Sequence, residues 1–434
     1  MTARVRRNAE AVPSSAADLP PARHYIDGSF LDAPHERFTD VVDPCTEEVI
    51  ARIPEGSAAD VDRAVAAALS AQEQWARMVP SDRSALLHRI ADLLAEHSDV
   101  LIRLEMANAG RPLAVARYDI NGTIDTFRFM AGALRATTTM TAGEYAADHL
   151  SVILREPLGV VGVVAPWNYP LMMAARKLAP SLAAGNSVVI KPSEQTPLST
   201  LKFAELIGDL LPAGVVNVVT GLGPTVGARL AEHPDIAMVA LTGSVGSGRA
   251  VARTAADTLK RVHLALGGKA PVVVFEDADL KAAASALRVA GFWNSGQECG
   301  AGCRVLVHAS VADRFVEHLV HEVGDIPEDA EVAREEVFGP VVTVETFTDE
   351  DEAVRRANDV SFGLAASVWT ESARRSHSVA GRSDFGTVWV NSHLTLANEV
   401  PRGGFKGSGY GRGLSLDALD DYSRSKHVMH HHGR

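Results

Sequence analysis

The sequence predicts an α/β protein: a doubly wound, Rossmann-like parallel sheet followed by a second α/β block. Three observations carry this reading. Short β-branched runs alternate with amphipathic segments of about ten to fifteen residues, the pattern of β-α-β units. The runs GVVGVVAP, NSVVIKPS and VVNVVTG have valine-rich apolar centres, as strands covered on both faces require. After Pro271 the alternation resumes in PVVVFEDAD, RVLVHAS, PVVTVETF and FGTVWVN.

Taken in order, SAADVDRAVAAALSAQEQWARM reads as a helix capped by Ser57, with apolar residues at helical spacing. PSDRSALLHRIADLLAEHSDVLIRLEMANAG repeats the pattern and stops at Gly110. VILREPLGVVGVVAP alternates, bends at Pro157 and becomes a buried strand. TPLSTLKFAELIGDLL predicts a helix with Thr196 as its cap and Pro197 at its first position. TVGARLAEHP is a helix, AMVALTGS a strand, and a further helix starts near Gly248. The second block adds a helix running to Ser295 and another over VADRFVEHLVHEV. No internal repeat is evident.

At 434 residues the chain exceeds one compact domain. Apolar residues at 46% and charged residues at 22% describe an ordinary globular protein. A net charge of −12 argues against a nucleic acid or an anionic membrane as partner, since both select a basic face. Three cysteines, Cys45, Cys299 and Cys303, form no disulfide framework and imply a reducing compartment. No apolar run has the length of a membrane span. Residues 1–23 read as a flexible polar arm without the apolar core of a secretory signal, so a cytoplasmic location is expected. The three histidines of MHHHGR read as incidental, and no metal is expected.

Several short motifs carry chemistry at strand ends, where open α/β sheets bind ligands. Cys299 lies in GQECGAGCR between Gly296 and Gly300, which leave room for other groups to approach the sulfur. A thiolate there can attack a carbonyl carbon; the bland alternative is a small buried hydrophobe. Asn168 in APWNYP either caps the next helix or donates to a developing oxyanion. Lys191 and Glu194 in IKPSE either form a solvated turn or grip ribose hydroxyls, the carboxylate then excluding a 2′-phosphate and selecting NAD over NADP. TGSVGSG joins a strand to a helix, and its glycines let backbone approach a pyrophosphate at the helix N-terminus. In REEVFGP, read as opening a strand, Glu336 and Phe338 either start that strand or contact a ribose and a nicotinamide ring.

The order PWN, KPSE, TGS–G, LGGK, GQ–C, EE–FGP and WVN…GGFKGSGYGR closely resembles the aldehyde dehydrogenase superfamily, over roughly residues 20 to 430. GQECGAGCR, HLTLANEVPRGGFKGSGYGRGLSLDALDDYS and KHVM look most like the branch that oxidises aminoaldehydes such as 4-aminobutyraldehyde. The resemblance implies NAD-dependent oxidation through a thiohemiacetal and a thioester on Cys299. Asn168 and the backbone N–H of Cys299 would stabilise the oxyanion. Trp167, Lys191, Glu194, Gly223, Ser244, Gly248, Glu336 and Phe338 would hold the cofactor. It also implies a cofactor domain over 24–136 and 158–266, a catalytic domain over 267–413, and an oligomerisation arm over 137–157 and 414–434. The partner would be a small aldehyde, and the assembly a homodimer or homotetramer.

Two departures follow from the same comparison. Ala265 stands in LALGGK where the family pattern places a general-base glutamate, a role worth about 10²–10⁴ in rate. Glu298, Glu336 and Glu399 are candidate substitutes. A stretch of the catalytic domain is also expected to be missing near 325–332, between FVEHLVHEV and REEVFGP. The loss of a base at 265 leaves two alternatives to hydrolysis: transfer of the acyl group to coenzyme A or an amine, or a non-catalytic NAD-binding protein.

Overall fold

The computed structural model describes residues 18–31, 37–137, 142–323 and 338–432. Its larger sheet has eight strands, in the order Gly409–Tyr410, Arg261–Ala265, Ile236–Thr242, Val160–Val164, Ser187–Lys191, Val216–Val218, His24–Ile26, Ser29–Leu31. The five central strands are parallel, and the outer ones join antiparallel. The chain enters at Val160–Val164, moves outward through Ser187–Lys191, then returns to the opposite side at Ile236–Thr242. This reversal opens a crevice at the strand ends following Val164 and Thr242, the position at which such sheets bind ligands.

The second sheet has five strands, all parallel, in the order Thr343–Phe347, Arg304–His308, Pro271–Val274, Ala365–Trp369, Thr387–Val390. The suspected shortening near 325–332 falls outside the described residues. Thr343–Phe347 nevertheless pairs with Arg304–His308 over five residues, so the sheet is continuous across that connection. A third sheet, antiparallel, joins Ala142–Ala146, His149–Pro157 and Ser423–His431, the last two in register over nine residues.

Local chemistry accounts for most element ends. Ser57 and Asp60 form a capping box at the start of helix Ala58–Arg77. Gly110, at φ 64°, ends helix Ser98–Ala109 in the left-handed region. The expected continuous helix before it is two, Pro80–Glu96 and Ser98–Ala109. Thr196 does not cap a helix: its hydroxyl donates to the Trp167 carbonyl at 3.2 Å, and helix Leu198–Ile207 begins one residue past Pro197. The helix expected from Gly248 starts at Val245, capped by Ser244. The helix expected to reach Ser295 ends at Phe292.

Asn186 ties the cofactor sheet to the chain end. Fully buried, it accepts from the N–H groups of Leu158 and Gly159 at 2.7 and 3.0 Å and donates to the carbonyls of Ser181 and Tyr422 at 3.2 and 2.8 Å. Asn186→Ala takes the side-chain partner from the Leu158 and Gly159 N–H groups and the Tyr422 carbonyl, while the Ser181 carbonyl keeps the Asn186 N–H. It should lower unfolding free energy by about 3 kcal/mol or more, read as a fall in the urea midpoint.

Candidate active site

Four parallel strands of the larger sheet deliver one wall of a cavity of about 610 Å³. Ala165–Asn168 follow Val160–Val164, and Ser193 and Glu194 follow Ser187–Lys191. Gly243 and Ser244 follow Ile236–Thr242, and Leu266 and Gly267 follow Arg261–Ala265. The facing wall carries Trp293, Glu298, Cys299, Phe338, His393 and Arg402.

The loop that presents the thiol has an unusual backbone. Asn294, Ser295 and Gly296 take left-handed conformations in succession, at φ 51°, 59° and 75°. For the non-glycine members this costs about 1–2 kcal/mol each. A Cβ at Gly296 would lie 2.1 Å from the Gly339 carbonyl oxygen, so a side chain does not fit. Side-chain hydrogen bonds hold the turn: Asn294 Nδ2 donates to the carbonyls of Asn168 and Gln297, each at 3.2 Å. Asn168 Nδ2 donates to the same Gln297 carbonyl at 3.0 Å.

Asn168 is therefore not a helix cap; helix Pro170–Ala184 has no side-chain cap at all. Its amide lies on the cavity wall and clamps the thiol loop, with one of its two N–H hydrogens committed to Gln297. The start of that helix is set from below by buried ions. The Glu105 carboxylate accepts from Leu171 N–H at 3.2 Å and pairs with Arg111, which also contacts Asp119. The Arg111 guanidinium lies 4.4 Å from the Tyr169 ring centroid.

Cys299 is a half-buried thiol that donates to Glu298 Oε1 at 3.3 Å. Arg402 reaches both groups, with Nη2 3.3 Å from Glu298 Oε1 and 3.8 Å from Cys299 Sγ. Glu298 also accepts from Gly300 N–H at 3.0 Å. Burial works to raise the Glu298 carboxyl. Arg402, the nearby Tyr169 hydroxyl, the Gly300 N–H and the Cys299 thiol outweigh it and hold the carboxyl below its usual range. Burial likewise opposes the charge on Arg402, but the Cys299 thiol, the Glu298 carboxylate and the Tyr169 hydroxyl raise it above its ordinary value.

The other predicted positions divide. Trp167, Lys191, Glu194, Gly223, Ser244 and Phe338 all line the cavity. Lys191 Nζ pairs with Glu194 Oε2 at 2.8 Å and donates to the Pro192 carbonyl at 2.9 Å. Burial pulls the Lys191 ammonium down, and Glu194 partly restores it. Ser244 Oγ accepts from Ser247 N–H at 3.1 Å. Phe338 meets Trp167 edge to face at 5.5 Å. Gly248 does not line the cavity. It lies where its helix presses on Leu266, which a Cβ would approach to 2.6 Å, so the glycine serves close packing. Glu336 lies outside the described residues. Glu399 is exposed and off the cavity, while Ala265 lines it as a bare methyl. Cys303 is half-buried and off the cavity.

Four basic groups escaped the sequence reading: Arg176, His393 and Arg402 line the cavity, and Lys177 is buried behind it. Burial, with help from Arg176, pushes Lys177 down to about 7, and its ammonium donates to the Thr242 hydroxyl. His393 bridges the Ser367 hydroxyl and the Gly300 carbonyl, at 2.8 and 2.9 Å.

The family model of the aldehyde dehydrogenases matches residues 30–327 and 323–428, two stretches that meet at the end of helix Ala312–Val323. The chain belongs to the aldehyde dehydrogenase family. Among solved structures, it is similar to betaine aldehyde dehydrogenase of Staphylococcus aureus in complex with NAD+, at 32% identity and TM-score 0.92, covering 96% of this chain and 98% of that one. It is similar to an aldehyde dehydrogenase of Burkholderia cenocepacia at 36% identity and TM-score 0.92, covering 95% and 98%. It is also similar to indole-3-acetaldehyde dehydrogenase of P. syringae in complex with NAD+, at 34% identity and TM-score 0.92, covering 96% and 98%.

Burial pushes His393 from its ordinary 6.5 to about 4. A histidine kept neutral by the fold contributes stability that is whole above pH 6.5 and is lost as pH falls through 6.5 toward 4. Between pH 7 and pH 5 the wild type should lose about 2 kcal/mol more than His393→Asn, read from urea midpoints at the two pH values.

Proposed function

We propose that the protein oxidises an aldehyde to its carboxylic acid with NAD+, using Cys299 as nucleophile and Glu298 as base. The observation that carries this is the placement of the thiol: it opens onto the cavity formed at the sheet's reversal point, with a buried carboxylate 3.3 Å away.

The residues fit a dinucleotide. Lys191 and Glu194 form a donor–acceptor pair suited to vicinal hydroxyls, and the carboxylate disfavours a 2′-phosphate. A Cβ at Gly223 would meet nothing within 4 Å, leaving open space beside that pair for the cofactor. Trp167, Ser244 and Phe338 complete the contacts, and Gly248 assists only through helix packing. When bound, NAD+ supplies the hydride acceptor.

Glu298 takes the thiol proton, and Arg402 keeps the resulting charges compensated. The sulfur attacks the carbonyl carbon, and the new oxyanion lies toward Asn168 and the Cys299 backbone N–H. Loss of hydride leaves a thioester on Cys299. Water then displaces the sulfur, giving the acid and regenerating the thiol. Once the thiol proton has passed from it to solvent, Glu298 is, among the described residues at the thiol end, the carboxylate that accepts the water proton, since position 265 offers only a methyl group. Its presence favours hydrolysis over acyl transfer, and over a non-catalytic role.

In this reading residues 24–136 and 158–266 hold the cofactor and 267–413 carry the chemistry. Residues 137–157 and 414–434 form the arm of a homodimer or homotetramer. A low, odd count of three cysteines agrees with a reducing, cytoplasmic setting. An aminoaldehyde, the substrate suggested by the branch resemblance, would carry an ammonium to a thiol end that holds two guanidiniums, which does not favour it.

Following NADH with NAD+ and short aldehydes tests the assignment. Cys299→Ser should lose at least about 10³-fold in rate, and persistent turnover would overturn the role of the thiol. Glu298→Gln should lower kcat by about 10²–10⁴ with little change in KM. The double variant Glu298→Gln with Ala265→Glu should recover part of that loss, because it returns a carboxylate to the cavity wall.

A further inference from the structure

We infer that the substrate is an aldehyde bearing a carboxylate at its far end, an ω-oxo acid, and that Arg176 is the residue that reads it. This rests on the proposed aldehyde oxidation and names its substrate class.

Arg176 projects from the second turn of helix Pro170–Ala184 into the cavity. Its Nε is enclosed and makes no hydrogen bond, and among the described residues no carboxylate pairs with it. The other buried cations nearby are satisfied. Arg402 pairs with Glu298, Arg111 with Glu105 and Asp119, Lys191 with Glu194, and Lys177 donates to Thr242. Of these, Arg176 and Lys177 have no carboxylate partner among the described residues, and Arg176 is the one that lines the cavity. Burial, with the like charge of Arg402, pushes it from its ordinary 12.5 down to about 10, the direction expected of a guanidinium without a counter-ion.

Position separates a substrate anion from the cofactor's phosphates. The charges that act on Arg176 are those of Arg402, Glu298, Cys299 and Tyr118, all at the thiol end. Lys191 and Glu194, at the strand ends expected to hold the dinucleotide, are not among them. Among the described residues lining the thiol end, two guanidiniums, Arg176 and Arg402, stand against one carboxylate, Glu298, which is already shared by Arg402 and the thiol. An anion completes that balance, whereas an ammonium adds a third cation. Met173, Trp293, Leu394 and Leu396 supply apolar walls for a short methylene chain. A planar guanidinium in such surroundings grips a carboxylate through paired, charge-assisted hydrogen bonds.

The test compares kcat/KM for butanal, 4-aminobutanal and 4-oxobutanoate, extended to 5-oxopentanoate and 6-oxohexanoate. One of the oxo acids should exceed butanal by about tenfold or more, through a lower KM. Arg176→Gln should cut the ratio of oxo acid to butanal roughly 10- to 100-fold, again in KM, and Arg176→Lys should keep part of it. A preference for butanal or 4-aminobutanal, or a ratio unmoved by Arg176→Gln, overturns the inference while leaving aldehyde oxidation standing. Absence of NADH from every aldehyde would instead defeat the proposed oxidation. For that case, calorimetric titration of Cys299→Ser with the product-like butanedioate gives a separate reading. Binding that weakens at least tenfold on adding Arg176→Gln supports the carboxylate site, and equal binding or none refutes it.

Discussion

A thiol, a carboxylate and a guanidinium share one small volume at the end of the cavity, and the rest of the site is arranged to keep them there. Cys299, Glu298 and Arg402 lie within hydrogen-bonding reach of one another in partly desolvated surroundings. Separated, the carboxylate or the cation would be a buried, uncompensated charge, which is strongly destabilising. Together they are mutually compensating, and a proton can pass from sulfur to carboxylate without leaving a lone charge behind. The left-handed turn at 294–296 is what turns this cluster toward the cavity, and the Asn168 and Asn294 amides hold that turn.

The two sheets explain why the cluster meets a dinucleotide cradle at all. The reversal of strand order between Val160–Val164 and Ile236–Thr242 opens the crevice on one side. The thiol loop arrives on the other side, immediately before Arg304–His308 of the second sheet. Neither half holds a complete site, so the chemistry depends on their packing. Ala265 lines the cavity as a bare methyl, and a carboxylate, Glu298, lines the facing wall.

Much of this was legible from residue pattern. The capping box at Ser57, the stop at Gly110 and the buried parallel strands follow from local chemistry, and the strand-end motifs fell on the cavity because open α/β sheets bind there. Helix Leu113–Ala136 was passed over. It contains Asn121–Gly122, a pair that usually marks a turn, yet a Cβ at Gly122 would sit 3.0 Å from Met172 Cε, so the glycine serves close packing of two helices. Thr196 looked like a cap because threonine before proline usually is one; a tertiary bond to Trp167 claimed it instead. Arg176, Lys177 and Arg402 escaped notice because a lone basic residue in sequence resembles a solvated one. Only the folded chain shows that Arg402 sits on Glu298, 104 positions earlier, and that Arg176 has no such partner.

The central claim is that Cys299 carries the acyl group across this cavity. Mixing equimolar protein, NAD+ and an oxidisable aldehyde, quenching in acid within the first turnover and mapping the mass adduct by peptide tests it most directly. The account predicts acyl label on the peptide containing Cys299, in step with NADH formed. NADH appearing with the label on Cys303 or Cys45, or with Cys299 unmodified throughout, would contradict it.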